Sequence, residues 1–260
     1  MSLNDPYAVV MLGLLGLAVG SFLNVAIDRL PRRKSIISGA SHCEVCHTRL
    51  GTRDLAPVLS YLWLRGRCRH CGAKIPVKLP LVELFTGLVF AYIGYEYGRS
   101  LDTALLAIYS SILIVVFMID LERGLILNRV IFPAFLAALA LSSLRPDNTS
   151  DQALDIFWKS VAGGGIALGA LLVIYLGSRG GMGAGDVKLA PFVGLIIGYP
   201  VVAVTLLMSF IGGGLVSAYL LLARKRGRKH AIPFGPFLAL STLASLFWGR
   251  DVWDWYVDLF

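Results

Sequence analysis

Charge is scarce in this chain. Only 15% of its 260 residues are Asp, Glu, Lys or Arg and 57% are hydrophobic, whereas ordinary soluble domains carry about 25% charged residues. That balance excludes a water-soluble globular domain and predicts an integral membrane protein. No small-residue cleavage site follows the first apolar run, Tyr7 to Ala26, which ends in Asp28-Arg29. The run therefore reads as a retained first helix rather than a removed leader. No glycine-rich fingerprint follows a strand, so no nucleotide-type cofactor site can be read from spacing. No internal repeat suggests the alternating access of a transporter.

What is present is a series of apolar runs able to cross a hydrocarbon core of about 30 Å. They lie near 7–27, 81–98, 103–119, 127–144, 156–177 and 201–223, with two weaker runs at 186–198 and 231–248. The expected architecture is all-α, with about eight transmembrane helices. Basic residues gather in 29–80, in the turn 224–229, and around 120–129 and 178–188, leaving Arg99, Arg145, Lys159 and Arg250 on the other side. The positive-inside rule then puts the N-terminus outside and the loop 29–80 in the cytoplasm. The expected organisation is a first helix (1–28), a cytoplasmic loop domain (29–80) and a membrane domain (81–260). The net charge of +8 is absorbed by this topology and by anionic lipid headgroups, so nucleic acid is not an expected partner.

All four cysteines sit in the loop, as Cys43-x-x-Cys46 and Cys68-x-x-Cys71, with 21 residues between the pairs. That spacing suits a four-thiolate zinc ribbon, in which each CxxC supplies two ligands to one tetrahedral ion. Two disulfides are the alternative, favoured only in an oxidising compartment. Four thiolates leave no open coordination position, so the zinc is expected to be structural. His42, His47 and His70 flank the cysteines and are expected outside the ligand set.

Two acids stand where acids are expensive. Asp120 ends the apolar run Ser111 to Ile119, and Asp186 closes Gly183-Ala184-Gly185-Asp186 after a glycine-rich turn. An ionisable group at membrane depth costs roughly 2.5–3.5 kcal/mol on insertion scales and marks a functional site. Should the two carboxyls meet, they would share a proton, one serving as base and the other as acid. The alternative is that each caps a helix or pairs with Arg123 or Lys188. The glycines are expected to permit positive φ and close backbone approach.

The ordered set of motifs resembles the type IV prepilin peptidase family, the GxGD class of membrane aspartic proteases. It runs from Gly20-Ser-Phe-Leu-Asn24-Val and Arg29-Leu-Pro31 through both CxxC pairs, with Pro57-Val-Leu-Ser-Tyr61 and Arg65-Gly-Arg-Cys68 between them. Pro80-Leu-Val-Glu83-Leu, Gly181-Met-Gly-Ala-Gly-Asp186-Val-Lys188-Leu and Ile232-Pro-Phe-Gly-Pro236-Phe follow. The resemblance implies an aspartyl dyad of Asp120 and Asp186 that removes the leader of prepilins or type II secretion pseudopilins at the cytoplasmic face of a bacterial inner membrane. It further implies N-methylation of the new terminus from S-adenosylmethionine, with Asn24, Arg29 and Glu83 as conceivable contributors or as simple polar anchors. A peptidase lacking methyl transfer is the nearest alternative, and a proton-coupled transporter a distant one. One departure is Ile126-Leu127-Asn128, where the family pattern has proline at the middle position.

Overall fold

The computed structural model describes residues 6–98, 100–142, 150–178, 180–223 and 233–259. These residues are mostly helical, apart from the loop that joins the first two long helices, and contain no strand beyond two isolated bridges. In chain order the helices are α1 (Pro6–Arg29), α2 (Leu59–Trp63), α3 (Lys78–Tyr97), α4 (Leu101–Arg123), α5 (Asn128–Leu141), α6 (Ser150–Gly177), α7 (Ala184–Ile197), α8 (Val202–Leu222) and α9 (Gly235–Val257). The basic turn 224–229, Arg99, Arg145, Arg179 and Ile232 lie outside the described residues.

Among the described residues five helical segments are long and apolar enough to cross a membrane: α1, α3, α4, residues Leu154–Gly177 of α6, and α8. The expectation of about eight is therefore not met by length and composition. At 14 residues each, α5 and α7 extend about 21 Å at 1.5 Å per residue, short of a ~30 Å core. Helix α9 has 23 residues, but Arg250, Asp251 and Asp254 occupy its last turns and lower its mean hydropathy.

The chain forms two compact units, residues 1–115 and 116–260. In the first, α1 and α3 pack along a seam of small residues. A Cβ at Gly16 would stand 2.6 Å from Phe90 Cβ, one at Gly20 2.7 Å from Glu83 Cα, and one at Gly94 2.9 Å from Ala8 carbonyl oxygen. Within lipid no hydrophobic force draws helices together, so close backbone contact has to supply the packing energy, and only small residues allow it. Polar groups tie the same two helices at one end, where Asn24 Nδ2 donates to Leu79 carbonyl oxygen at 3.0 Å.

In the second unit α7 is central, packed against α5, α6, α8 and α9. Leu189, Ala190, Phe192 and Val193 are completely buried, a helix apolar on several faces because it has neighbours on several faces. Its contact with α6 repeats the glycine seam: a Cβ at Gly163 would lie 2.5 Å from Gly194 carbonyl oxygen. This packing fixes the start of α7, where Asp186 lies.

Candidate functional site

Asp120 and Asp186 come together in the second unit. Asp120 is one turn from the end of α4 and 3% exposed, while Asp186 is the third residue of α7 and 6% exposed. Asp120 lies against the first residue of α9, where a Cβ at Gly235 would meet Asp120 Oδ2, and it is close enough to act electrostatically on Asp186. Asp186 lies in the first turn of α7, where its own N–H donates to the Gly183 carbonyl oxygen at 3.2 Å.

The first turn of α7, which holds Asp186, and the first residue of α9, beside Asp120, are places where free N–H groups and the positive ends of helix dipoles favour negative charge. Lys188, offered by the sequence as a partner for Asp186, donates instead to Asn128 Oδ1 at 3.4 Å. Asp120 Oδ2 is buried and has no hydrogen-bond partner among the described residues. A buried, unsatisfied carboxylate oxygen is costly, and this one lies against Gly235.

Glycine creates the space. A Cβ at Gly235 would collide with Asp120 Oδ2 and stand 3.1 Å from Ile126 Cδ1, and one at Gly185 would lie 3.0 Å from Ile126 Cβ. Ile126 is therefore a wall touched by both glycines, and sequence reasoning passed over it except as part of a motif. The expectation of positive φ in the glycine-rich turn is corrected in part. Gly180 has φ +95°, but Gly183 has φ −73° and Gly185 is helical, so these two are needed for their missing side chains. Leu127, where a proline was expected, has φ −82° and ψ 120°. A proline ring would impose φ of about −65°, so leucine follows nearly the same backbone path into α5.

The cysteines form a second cluster, in the first unit. Their four Sγ atoms lie within 4.8 Å of one another, and all four thiols are free. Each pair sits in a small hairpin, and the two hairpins repeat one another. Cys43 N–H donates to Thr48 carbonyl oxygen and Cys68 N–H to Ala73, while His47 N–H returns to Cys43 and Gly72 N–H to Cys68. Bridges His42–Arg49 and Arg67–Lys74 close them. His47 (φ +54°) and Gly72 (φ +70°) make the corresponding left-handed turns. The Cys43 to Cys71 sulfur distance of 3.8 Å equals the edge of a tetrahedron with metal–sulfur bonds of about 2.3 Å. The residues thus fit a metal ion. His42, His47 and His70 are exposed and outside this sulfur cluster.

Asn24, Arg29 and Glu83 are engaged as anchors. The Arg29 guanidinium donates to the carbonyl oxygens of Ser35, Ser38, Gly39 and Ala40, gathering the chain just before the first cysteine hairpin. Glu83 Oε2 accepts from Val58 N–H at 2.7 Å.

Most of the chain is similar to known proteins. Residues 14–97 match the bacterial peptidase A24 N-terminal domain, and residues 107–218 match the type IV leader peptidase family. A protein of Bacillus subtilis (strain 168) named prepilin leader peptidase/N-methyltransferase is 32% identical over 96% of this chain and 98% of its own length. Proteins of the same name are 30% identical in Pseudomonas putida (97% of this chain, 95% of theirs) and 31% identical in Legionella pneumophila (98% and 96%). No solved structure matches the chain. With two buried aspartates meeting at a helix start, a four-cysteine cluster and relatives matched over nearly their whole length, the chain belongs to the type IV leader peptidase family.

Proposed function

We propose that this protein cleaves the leader from type IV prepilins or type II secretion pseudopilins with Asp120 and Asp186 as the catalytic pair, and methylates the new N-terminus. The observation that carries the proposal is the pairing of two buried acids, Asp120 acting electrostatically on Asp186 and lying against Gly235, with Asp120 Oδ2 buried and unpartnered among the described residues. Two carboxyls this close hold one proton between them. The ionised partner takes a proton from a bound water, which attacks the scissile carbonyl carbon, and the protonated partner donates to the carbonyl oxygen. The first carboxyl then passes its proton to the leaving amine while the second takes back a proton from the gem-diol, so that the C–N bond breaks and the pair returns to one shared proton. No covalent intermediate forms. General acid–base action of this kind contributes roughly 10²- to 10⁴-fold in rate, and the converging helix starts stabilise the negative charge of the pair.

The metal in the cysteine cluster is read as zinc, supplying fold to the loop rather than chemistry to the peptide. The basic residues of the loop support a position on the cytoplasmic side of a bacterial inner membrane. S-adenosylmethionine is the methyl donor this activity would use. Asn24, Arg29 and Glu83 each hold a protein partner, which supports reading them as anchors rather than as contributors to its site.

The test is incubation of the purified protein and of Asp186→Asn with a prepilin and S-adenosylmethionine, read by mass spectrometry. The expected result is loss of the leader mass and gain of one methyl with the wild type, and intact prepilin with the variant. Cleavage by the variant would remove Asp186 from the reaction. Cleavage without methyl gain by the wild type would leave a peptidase alone.

A further inference from the structure

Helix α2 lies outside the membrane-spanning segments, yet turns its apolar side outward. Leu59, Leu62 and Trp63 are 68%, 65% and 86% exposed, and Leu55 just before them is 40% exposed. Positions 59, 62 and 63 fall on one face of a helix, whereas Ser60, Tyr61 and Leu64 are partly covered. A short helix facing water would be expected to show the reverse pattern.

Its position is fixed by one hydrogen bond. Val58, which begins α2, has φ +60°, a conformation strained for a β-branched residue. Its N–H donates to Glu83 Oε2 at 2.7 Å. Glu83 is the sixth residue of α3, a helix long and apolar enough to span. The bond therefore ties α2 to the first turns of a spanning helix, at the depth where hydrocarbon gives way to headgroups. Arg53, Arg65 and Arg67 flank the apolar face, are exposed and have no ion-pair partner among the described residues.

From this arrangement we infer that α2 is an interfacial anchor. Leu59, Leu62 and Trp63 enter the boundary between headgroups and acyl chains, and Arg53, Arg65 and Arg67 meet anionic headgroups. The occupant is lipid rather than a protein partner because the helix is tied to a spanning helix through the Val58–Glu83 hydrogen bond, is flanked in sequence by cations without ion-pair partners among the described residues and ends in a tryptophan, a side chain well suited to a membrane interface. The inference stands apart from the catalytic proposal, since it concerns where the loop rests and not what the enzyme cleaves.

The experiment uses the full chain in nanodiscs of phosphatidylcholine and phosphatidylglycerol. Trp158, Trp248, Trp253 and Trp255 are changed to Phe so that Trp63 is the only emitter. Lipid with brominated acyl chains is expected to remove more than half of the Trp63 emission, while aqueous iodide removes little. Strong quenching by iodide with none by bromine would overturn the inference, and so would insensitivity to both, which would place Trp63 against protein, such as a second copy. Should the fourfold variant not fold, the difference in emission between wild type and Trp63→Phe in the same discs gives the same reading.

Discussion

The two clusters of chemistry-bearing side chains are built in opposite ways. The cysteine site is local: two hairpins of like design, each closed by its own backbone hydrogen bonds, present two thiols apiece. The aspartate site comes from three chain segments, the end of α4, the start of α7 and the start of α9, held by helix packing and by glycines that leave room. A site made by local turns has to be stabilised by what it binds, because so few residues enclose it. A site made by helix ends is stabilised by the fold around it and can leave a carboxylate oxygen unsatisfied.

Metal removal should separate the two most sharply. Chelation is expected to abolish amide protection through residues 41–75, since binding energy at such a site is folding energy, while α6 and α7 keep their slow exchange. Hydrogen exchange read by mass spectrometry checks this, and unchanged protection in the loop would show that it folds without metal. The aspartate site should instead be sensitive to one methyl group. Gly235→Ala would push into Asp120 and Ile126, and a displacement of about 1 Å at reacting groups can cost about 10²-fold in rate. Prepilin turnover should fall by that order with metal content unchanged, and near-normal turnover would mean that the site tolerates displacement. The smallest effect contrasts two glycines of α6. Gly163→Ala meets the backbone of α7, whereas Gly165 has nothing within 4 Å of an added Cβ. The first should lower the melting temperature. The second should raise it slightly, by the ~0.5–1 kcal/mol that alanine gains over glycine in a helix.

Much of this was readable from residues alone, for reasons that differ between the two sites. The cysteine cluster is legible because its spacing is its geometry: a CxxC pair can close on itself, and the structure puts all four sulfurs together. The aspartates were legible as costly acids in apolar runs, but their meeting was not, because nothing local relates Asp120 to Asp186 across 65 intervening residues; only the resemblance joined them. Ile126 escaped notice since an isoleucine carries no compositional signal. The span count is not confirmed at α5 and α7, whose helices of 14 residues each are shorter than a spanning length. The repeated hairpins were missed since their likeness lies in hydrogen bonds and in φ at His47 and Gly72, residues that share no chemistry.

The account rests on Asp120 and Asp186 acting as one unit, and a double-mutant cycle tests that most directly. Single-turnover cleavage of a prepilin would be measured for wild type, Asp120→Asn, Asp186→Asn and the double variant. Groups that work together are strongly non-additive, so the double variant is expected to lose no more than either single one. Losses that multiply in the double variant would contradict the account and make the two aspartates independent contributors.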